Sequence, residues 1–168
     1  YDKMSFITEE GSFFPNMTPY EYGLFLADFI PGFNMERYKT LLKFFEIEAH
    51  EKIKTFSAGQ KSKLEISAGF SKGAKYILMD EPFMGKDMFT RRDFLKLMVS
   101  SLKSGETILI ATHLIDEIEN VLDRAVILLY GRIKADFYID DIREKGKTLA
   151  EVMAEVVEYE ENRYKKLF

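Results

Sequence analysis

An α/β fold with a mostly parallel sheet, flanking helices and a small helical subdomain is what this 168-residue sequence predicts, on three observations. Residues 76–79, 107–111 and 125–129 are continuous apolar runs of strand length without polar alternation, the pattern of parallel strands buried on both faces. Helical periodicity separates each run from the next, as the crossovers of a parallel sheet require. Ahead of these runs, consecutive helical patterns follow a single short strand and form the subdomain.

The first strand is residues 4–8, followed by the turn-rich EEGSFFPN. Thr18, Pro19 and Glu21 then make a capping box with proline at the first helical position, so a helix runs to about Ile30, where Pro31 and Gly32 stop it. Asn34 can cap a second helix over 35–47, in which Leu41, Leu42 and Phe45 recur at helical spacing. A serine and glycine turn opens a third helix from Gln60 to about Ser71, and a strand over 76–80 follows. The next helix spans 87–104 and is closed by Gly105 at its C′ position. ETILIATH carries a strand, LIDEIENV a short helix, and RAVILLY a further strand that pairs as a hairpin with GRIKADFYI. Residues 140–168 read as two charged amphipathic helices, with Leu149, Val152, Met153 and Val156 on one face.

Composition narrows the function classes. At 46% hydrophobic the chain has enough apolar material for one domain with a core, and it is too short for two large ones. A net charge of −4 offers no basic surface for a polyanion, so no nucleic-acid partner is expected. Cysteine is absent, which excludes disulfides and thiolate metal sites and suits a reducing compartment. No apolar run approaches the roughly 20 residues of a membrane span, so any membrane contact is expected through a partner.

Ligands of open α/β sheets sit at the carboxyl ends of the strands. Asp80 and Glu81 lie at one such end, and Thr112 and His113 at another. A carboxylate there can hold Mg²⁺ through water, its neighbour can polarise an attacking water, and an imidazole can contact a transferring phosphate. Upstream, FSAGQ puts Ser57, Ala58, Gly59 and Gln60 at a helix N-terminus, where free N–H groups and the helix dipole favour an anion. Each feature has an ordinary structural explanation when taken singly: an acid ending a strand before proline, a serine cap, a solvated histidine. Their order is what carries information.

FSAGQ, a helix, YILMDEP, GKD, a helix and strand, and then ATH resemble the ATP-binding-cassette family, the nucleotide-binding subunits of ABC transporters. FSAGQ is similar to that family's signature loop, YILMDE to its Walker B strand with the catalytic glutamate, GKD to its D-loop and ATH to its switch-histidine loop. SFITEEGSFFPNMT is similar to the Q-loop region, and YGRI to the turn after the last core strand, so the resemblance covers nearly the whole chain. It implies a partial P-loop NTPase fold that binds ATP with Mg²⁺. It further implies that Glu81 polarises the attacking water, His113 senses the γ-phosphate, Asp80 and Glu9 serve the metal, and Asp87 and Glu9 lie at the nucleotide. Ser57, Ala58, Gly59 and Gln60 would cap a nucleotide held by a second ATP-binding subunit in a head-to-tail dimer. An integral membrane permease subunit is the other implied partner, at the cytoplasmic face of the cell membrane. Glu9 stands where the family usually has glutamine, Ala58 where it usually has glycine, and Gly85-Lys86 replace the common small-plus-leucine pair.

Only two helices separate Glu9 from Phe56, without sustained heptads, which resembles the compact subdomain of transporters and not the coiled-coil insertions of DNA-repair relatives. Phe13, Phe14, Tyr20, Tyr22 and Phe25 exceed what one short helix buries, and by the same resemblance some of them line a groove for the membrane subunit. A phosphate loop would read G-x-x-x-x-G-K-[ST] between a strand and a helix. The one GKT, at Gly146, Lys147 and Thr148, fails because Asp141 occupies the place of the first glycine. In the family that loop precedes the Q-loop, so it is expected before Tyr1, and this fragment alone is expected to be inactive. The expected organisation is 1–75 for the Q-loop region, helical subdomain and signature helix, 76–138 for the catalytic half-core, and 139–168 for a helical tail. The alternative expectation is a non-hydrolysing or soluble regulatory module of the same type, with no membrane partner.

Overall fold

A computed structural model describes residues 3–8, 13–82 and 88–157. Glu9, Asp87 and the Gly85-Lys86 pair lie outside the described residues. By its internal contacts the chain divides into two units, Tyr1–His113 and Leu114–Phe168.

In the first unit β1 (Met4–Ile7), β2 (Tyr76–Asp80) and β3 (Thr107–Ala111) form a parallel sheet in that order. The register pairs Ile7 with Met79 and Asp80 with Ala111. Three helices connect β1 to β2: α1 (Pro19–Phe29), α2 (Met35–Phe44) and α3 (Ala58–Ser71). A single helix, α4 (Met88–Ser101), connects β2 to β3. The caps are those the sequence predicts. Thr18 Oγ1 accepts from the Glu21 N–H at 3.2 Å while Glu21 Oε2 accepts from the Thr18 N–H at 2.8 Å, and Asn34 Oδ1 accepts from the Arg37 N–H at 2.8 Å.

Two helix ends differ from expectation. α2 stops at Phe44, before the predicted residue 47, because Glu46 takes a left-handed φ of +55°. The Ile47 N–H then reaches back to the Leu42 carbonyl at 2.9 Å and tucks Ile47 into the core. α4 ends at Ser101, so Gly105, at φ +86°, belongs to the turn before β3 and is not the C′ residue.

Two-sided burial of the strands is also corrected. One face of the sheet is buried through Ser5, Ile7, Ile77 and Met79, and α3 packs on it, with Ser5 Oγ donating to the Gly69 carbonyl at 2.9 Å. The opposite face exposes Met4, Phe6, Tyr76 and Leu109. An apolar run suffices for two-sided burial only when a second layer covers it, and the helices of this unit cover one side.

The second unit holds α5 (Ile115–Ile118), a 3-10 turn (Glu119–Val121), β4 (Arg124–Leu129), β5 (Arg132–Tyr138), α6 (Ile139–Glu144) and α7 (Leu149–Val156). β4 is not a parallel strand of the main sheet: it pairs antiparallel with β5 in a separate two-stranded sheet. Apolar content does not encode strand direction, whereas the two-residue loop Tyr130–Gly131 leaves room for no crossover. Ile139, Ile142 and Leu149 form the core of this unit, with Ile115, Phe137 and Val152 packed around them. Thr148 caps α7 in a box with Glu151, so the GKT stretch starts a helix after a turn and not after a strand.

Tyr130 and Gly131 both have positive φ, +51° and +72°, as a type I′ hairpin turn demands. Tyrosine is a poor residue there, and Tyr130 is 91% exposed. Tyr130→Asn is expected to stabilise the second unit by about 1 kcal/mol, read as a higher urea midpoint at unchanged slope.

Candidate functional site

The parallel pairing of β2 with β3 brings the candidate chemistry to one edge. Asp80 lies opposite Ala111, and the Glu81 N–H extends the ladder by donating to the Ala111 carbonyl at 2.8 Å. The chain then turns sharply at Glu81, whose φ of +41° is a left-handed conformation that few non-glycine residues hold. That turn faces the Glu81 carboxylate toward the end of β3. Thr112 Oγ1 donates to Glu81 Oε2 at 2.9 Å, the His113 N–H donates to Oε1 at 3.2 Å, and His113 Nδ1 lies 2.7 Å from the same oxygen. Pro82, buried, ends the strand behind it.

Burial pushes the Glu81 pKa up, yet the hydrogen bonds from His113 and Thr112 and the nearby imidazole outweigh it and hold the carboxyl below its ordinary range. The group is therefore ionised at neutral pH and remains partly open, with 31% of its side chain exposed. Asp80 beside it is exposed. Among the described residues no cluster of three metal-ligating side chains occurs.

Ser57 to Gln60 form a second cluster at the start of α3. Ser57 Oγ accepts from the Gln60 N–H at 3.2 Å, and Gln60 Oε1 accepts from the Ser57 N–H at 2.9 Å. This box leaves the first two helical N–H groups, those of Ala58 and Gly59, without intrahelical acceptors and on exposed residues. Gly59 has no positive φ, and a Cβ there would meet nothing nearer than Ser57 Oγ at 3.9 Å. Folding therefore does not require glycine at 59. Among the described residues no hydrogen bond or ion pair joins this cluster to Asp80, Glu81 and His113.

Thr112, which the sequence places at this edge without a role, is a hydrogen-bond donor to Glu81. The signal available was its position directly after β3, in register with Glu81 after β2. The aromatic group divides: Tyr22 is buried, Phe14 stacks edge-on against Phe25 at 5.0 Å while half exposed, and Tyr20 packs with His50 at 5.6 Å. Tyr20, Met35, Lys39, Leu42 and Lys43 line an open cleft of about 470 Å³.

A family model for the ABC transporter matches residues 2–84. The chain is 31% identical over 135 residues to the ABC transporter ATP-binding protein YdbJ of Bacillus subtilis, across 77% of this chain and 43% of that protein. It superposes on a solved ATP binding subunit of an ABC transporter with a TM-score of 0.80 and 28% identity, over 93% of this chain and 69% of the other. The chain belongs to the ABC transporter ATP-binding family.

Another relative within this family is ATP-binding cassette sub-family A member 2 of Rattus norvegicus, 38% identical over 85 residues, or 51% of this chain. A bacterial Atm1-family ABC exporter solved with ATP bound shares the fold, with a TM-score of 0.66 at 19% identity. This ABC-family chain spans 4% of the rat relative and under half of YdbJ. No helix among the described residues is long and apolar enough to cross a membrane.

Proposed function

We propose that the chain is part of an ATP-binding and ATP-hydrolysing subunit that powers transport across a membrane as a nucleotide-sandwich dimer. The observation that carries this reading is the ionised Glu81 carboxylate at the sheet edge, next to Asp80 and within hydrogen-bond reach of Thr112 and His113. Glu81 orients and polarises the attacking water, and its depressed pKa keeps it in the charged form that can accept a proton. Asp80, with Glu9, would hold the metal ion that accompanies the nucleotide. His113, 62% exposed, is free to reach a phosphate oxygen beyond the edge. Bound MgATP supplies the transferable phosphoryl group and the metal charge.

Ser57 to Gln60 offer their helix N-terminus to the nucleotide of the second subunit, so the chemistry is divided between two copies. Asp87 borders the nucleotide in the same arrangement. The phosphate loop is contributed from outside these 168 residues, since none of them reads G-x-x-x-x-G-K-[ST] after a strand. The half-exposed aromatics and the cleft on α1 and α2 receive a segment of the membrane permease at the cytoplasmic face, and Glu9 links that contact to the nucleotide.

The test is ATP turnover by the assembled protein with and without Mg²⁺, with its mass in solution measured in parallel. Mg²⁺-dependent hydrolysis, ATP-dependent dimerisation and co-purification with an integral membrane protein are expected. Folded protein that binds but never hydrolyses ATP would make it an interaction module instead, and hydrolysis with no membrane partner would make it a soluble regulatory relative.

A further inference from the structure

α2 delivers Arg37 into the junction between the end of α4 and the start of β3. Its Nη1 donates to Glu106 Oε1 at 2.8 Å, and its Nη2 donates both to Glu106 Oε2 at 3.2 Å and to the Ser101 carbonyl at 2.8 Å. Both charged side chains are only 10% exposed. Glu106 Oε2 also accepts the Lys103 N–H at 3.0 Å, which closes the α4–β3 loop. Over this pair the guanidinium stacks 5.6 Å from the centre of the Phe70 ring, near the end of α3. One side chain thereby joins α2, α3, α4 and the foot of β3. Lysine could not replace it, because a single ammonium has no planar fork to serve two acceptors while stacking on a ring.

The rest of the attachment of α1 and α2 has a different character. α1 packs on α2, α2 on α3, and α3 on β1, so the main packing route from the helical segment to the sheet runs through an intermediate helix. The sheet is held by its own ladders, including five residue pairs between β2 and β3, none of which includes Arg37. Proteins open in cooperative pieces along boundaries of this kind.

We propose that Arg37 and Glu106 are a latch that holds the α1–α2 segment to the α4–β3 loop, and that breaking it lets this segment open while the sheet stays folded. Removing one partner leaves the other charge largely buried without its counter-ion, and the cost falls at the junction. The inference does not depend on the nucleotide reading. It gives the helical segment, with its half-exposed aromatics and cleft, a hinge in which this ion pair acts beside the packing of α2 on α3 and the Asn34 N–H bond to the Ser71 carbonyl.

Hydrogen exchange read by mass spectrometry on the full chain tests it, comparing the natural protein with Arg37→Met, Glu106→Gln and Lys39→Met. The last removes an exposed ion pair with Glu36 from the same helix and serves as the control. In Arg37→Met and Glu106→Gln, amides of residues 19–44 are expected to exchange about tenfold faster or more, with those of 76–80 and 107–111 changed less than about twofold. Lys39→Met is expected to change neither set. Glu106→Gln keeps the size and an acceptor for Lys103, so it decides the question should Arg37→Met fail to fold. Uniform acceleration across the first unit, no acceleration in 19–44, or an equal effect from Lys39→Met would each overturn the latch.

Discussion

Glu81→Gln, made in the assembled ATPase, is expected to leave ATP binding intact and to lower turnover about 100-fold to 10,000-fold. The amide keeps the size of the side chain and an oxygen that can accept from Thr112 or the His113 N–H, so the edge stays folded. What it loses is the negative charge that polarises water and takes up its proton. Because the natural carboxyl is held below its ordinary pKa by those donors, it is charged throughout the neutral range, and no change of pH near 7 should rescue the variant. Equilibrium binding of a labelled ATP analogue, measured beside single-turnover hydrolysis, separates the two effects. Unchanged hydrolysis would remove Glu81 from the chemistry, and lost binding would give it a holding role instead.

The largest effect on stability is expected from Gly73→Ala, at about 3 kcal/mol of destabilisation in the first unit. Gly73 follows the last residues of α3 at φ +71°, a conformation that alanine enters at a cost of about 1–2 kcal/mol. A Cβ there would also run into the backbone carbonyl of Gly32, with the Gly32 carbonyl carbon 3.0 Å away. That neighbour is main chain in the turn after α1, tied nearby by the Asn34 N–H to the Ser71 carbonyl at 2.7 Å, so it cannot swing aside like a flexible side chain. Gly105→Ala is the matched comparison: φ is +86° and nothing lies within 4 Å of its Cβ, so only the backbone cost applies. Urea unfolding followed by a probe in the first unit should show the larger loss at 73. Equal losses at the two positions would mean that the Gly32 contact relaxes without cost.

The candidate site was legible where its signals are local. A polar pair after an apolar strand, a serine and small residues opening a helix, and a histidine after a second strand are patterns of a few residues each. Their order along the chain carried the family resemblance. Thr112 was visible as a position but not as a donor, because its role depends on β2 and β3 lying side by side in register. The left-handed turn at Glu81 had no sequence signal at all, since glutamate rarely adopts it.

By itself the sequence determined the α/β class, the strand segments 76–80 and 107–111, and the caps at Thr18, Asn34 and Ser57, and it holds no G-x-x-x-x-G-K-[ST] pattern. These follow from side-chain chemistry within about one helical turn or along one strand. Only the tertiary structure decided that β4 runs antiparallel to β5, that the sheet is covered on one face, and that Arg37 bridges to Glu106 across 69 residues. Each depends on which distant backbone comes alongside, and an apolar run or a lone arginine carries no record of its neighbour's direction or distance.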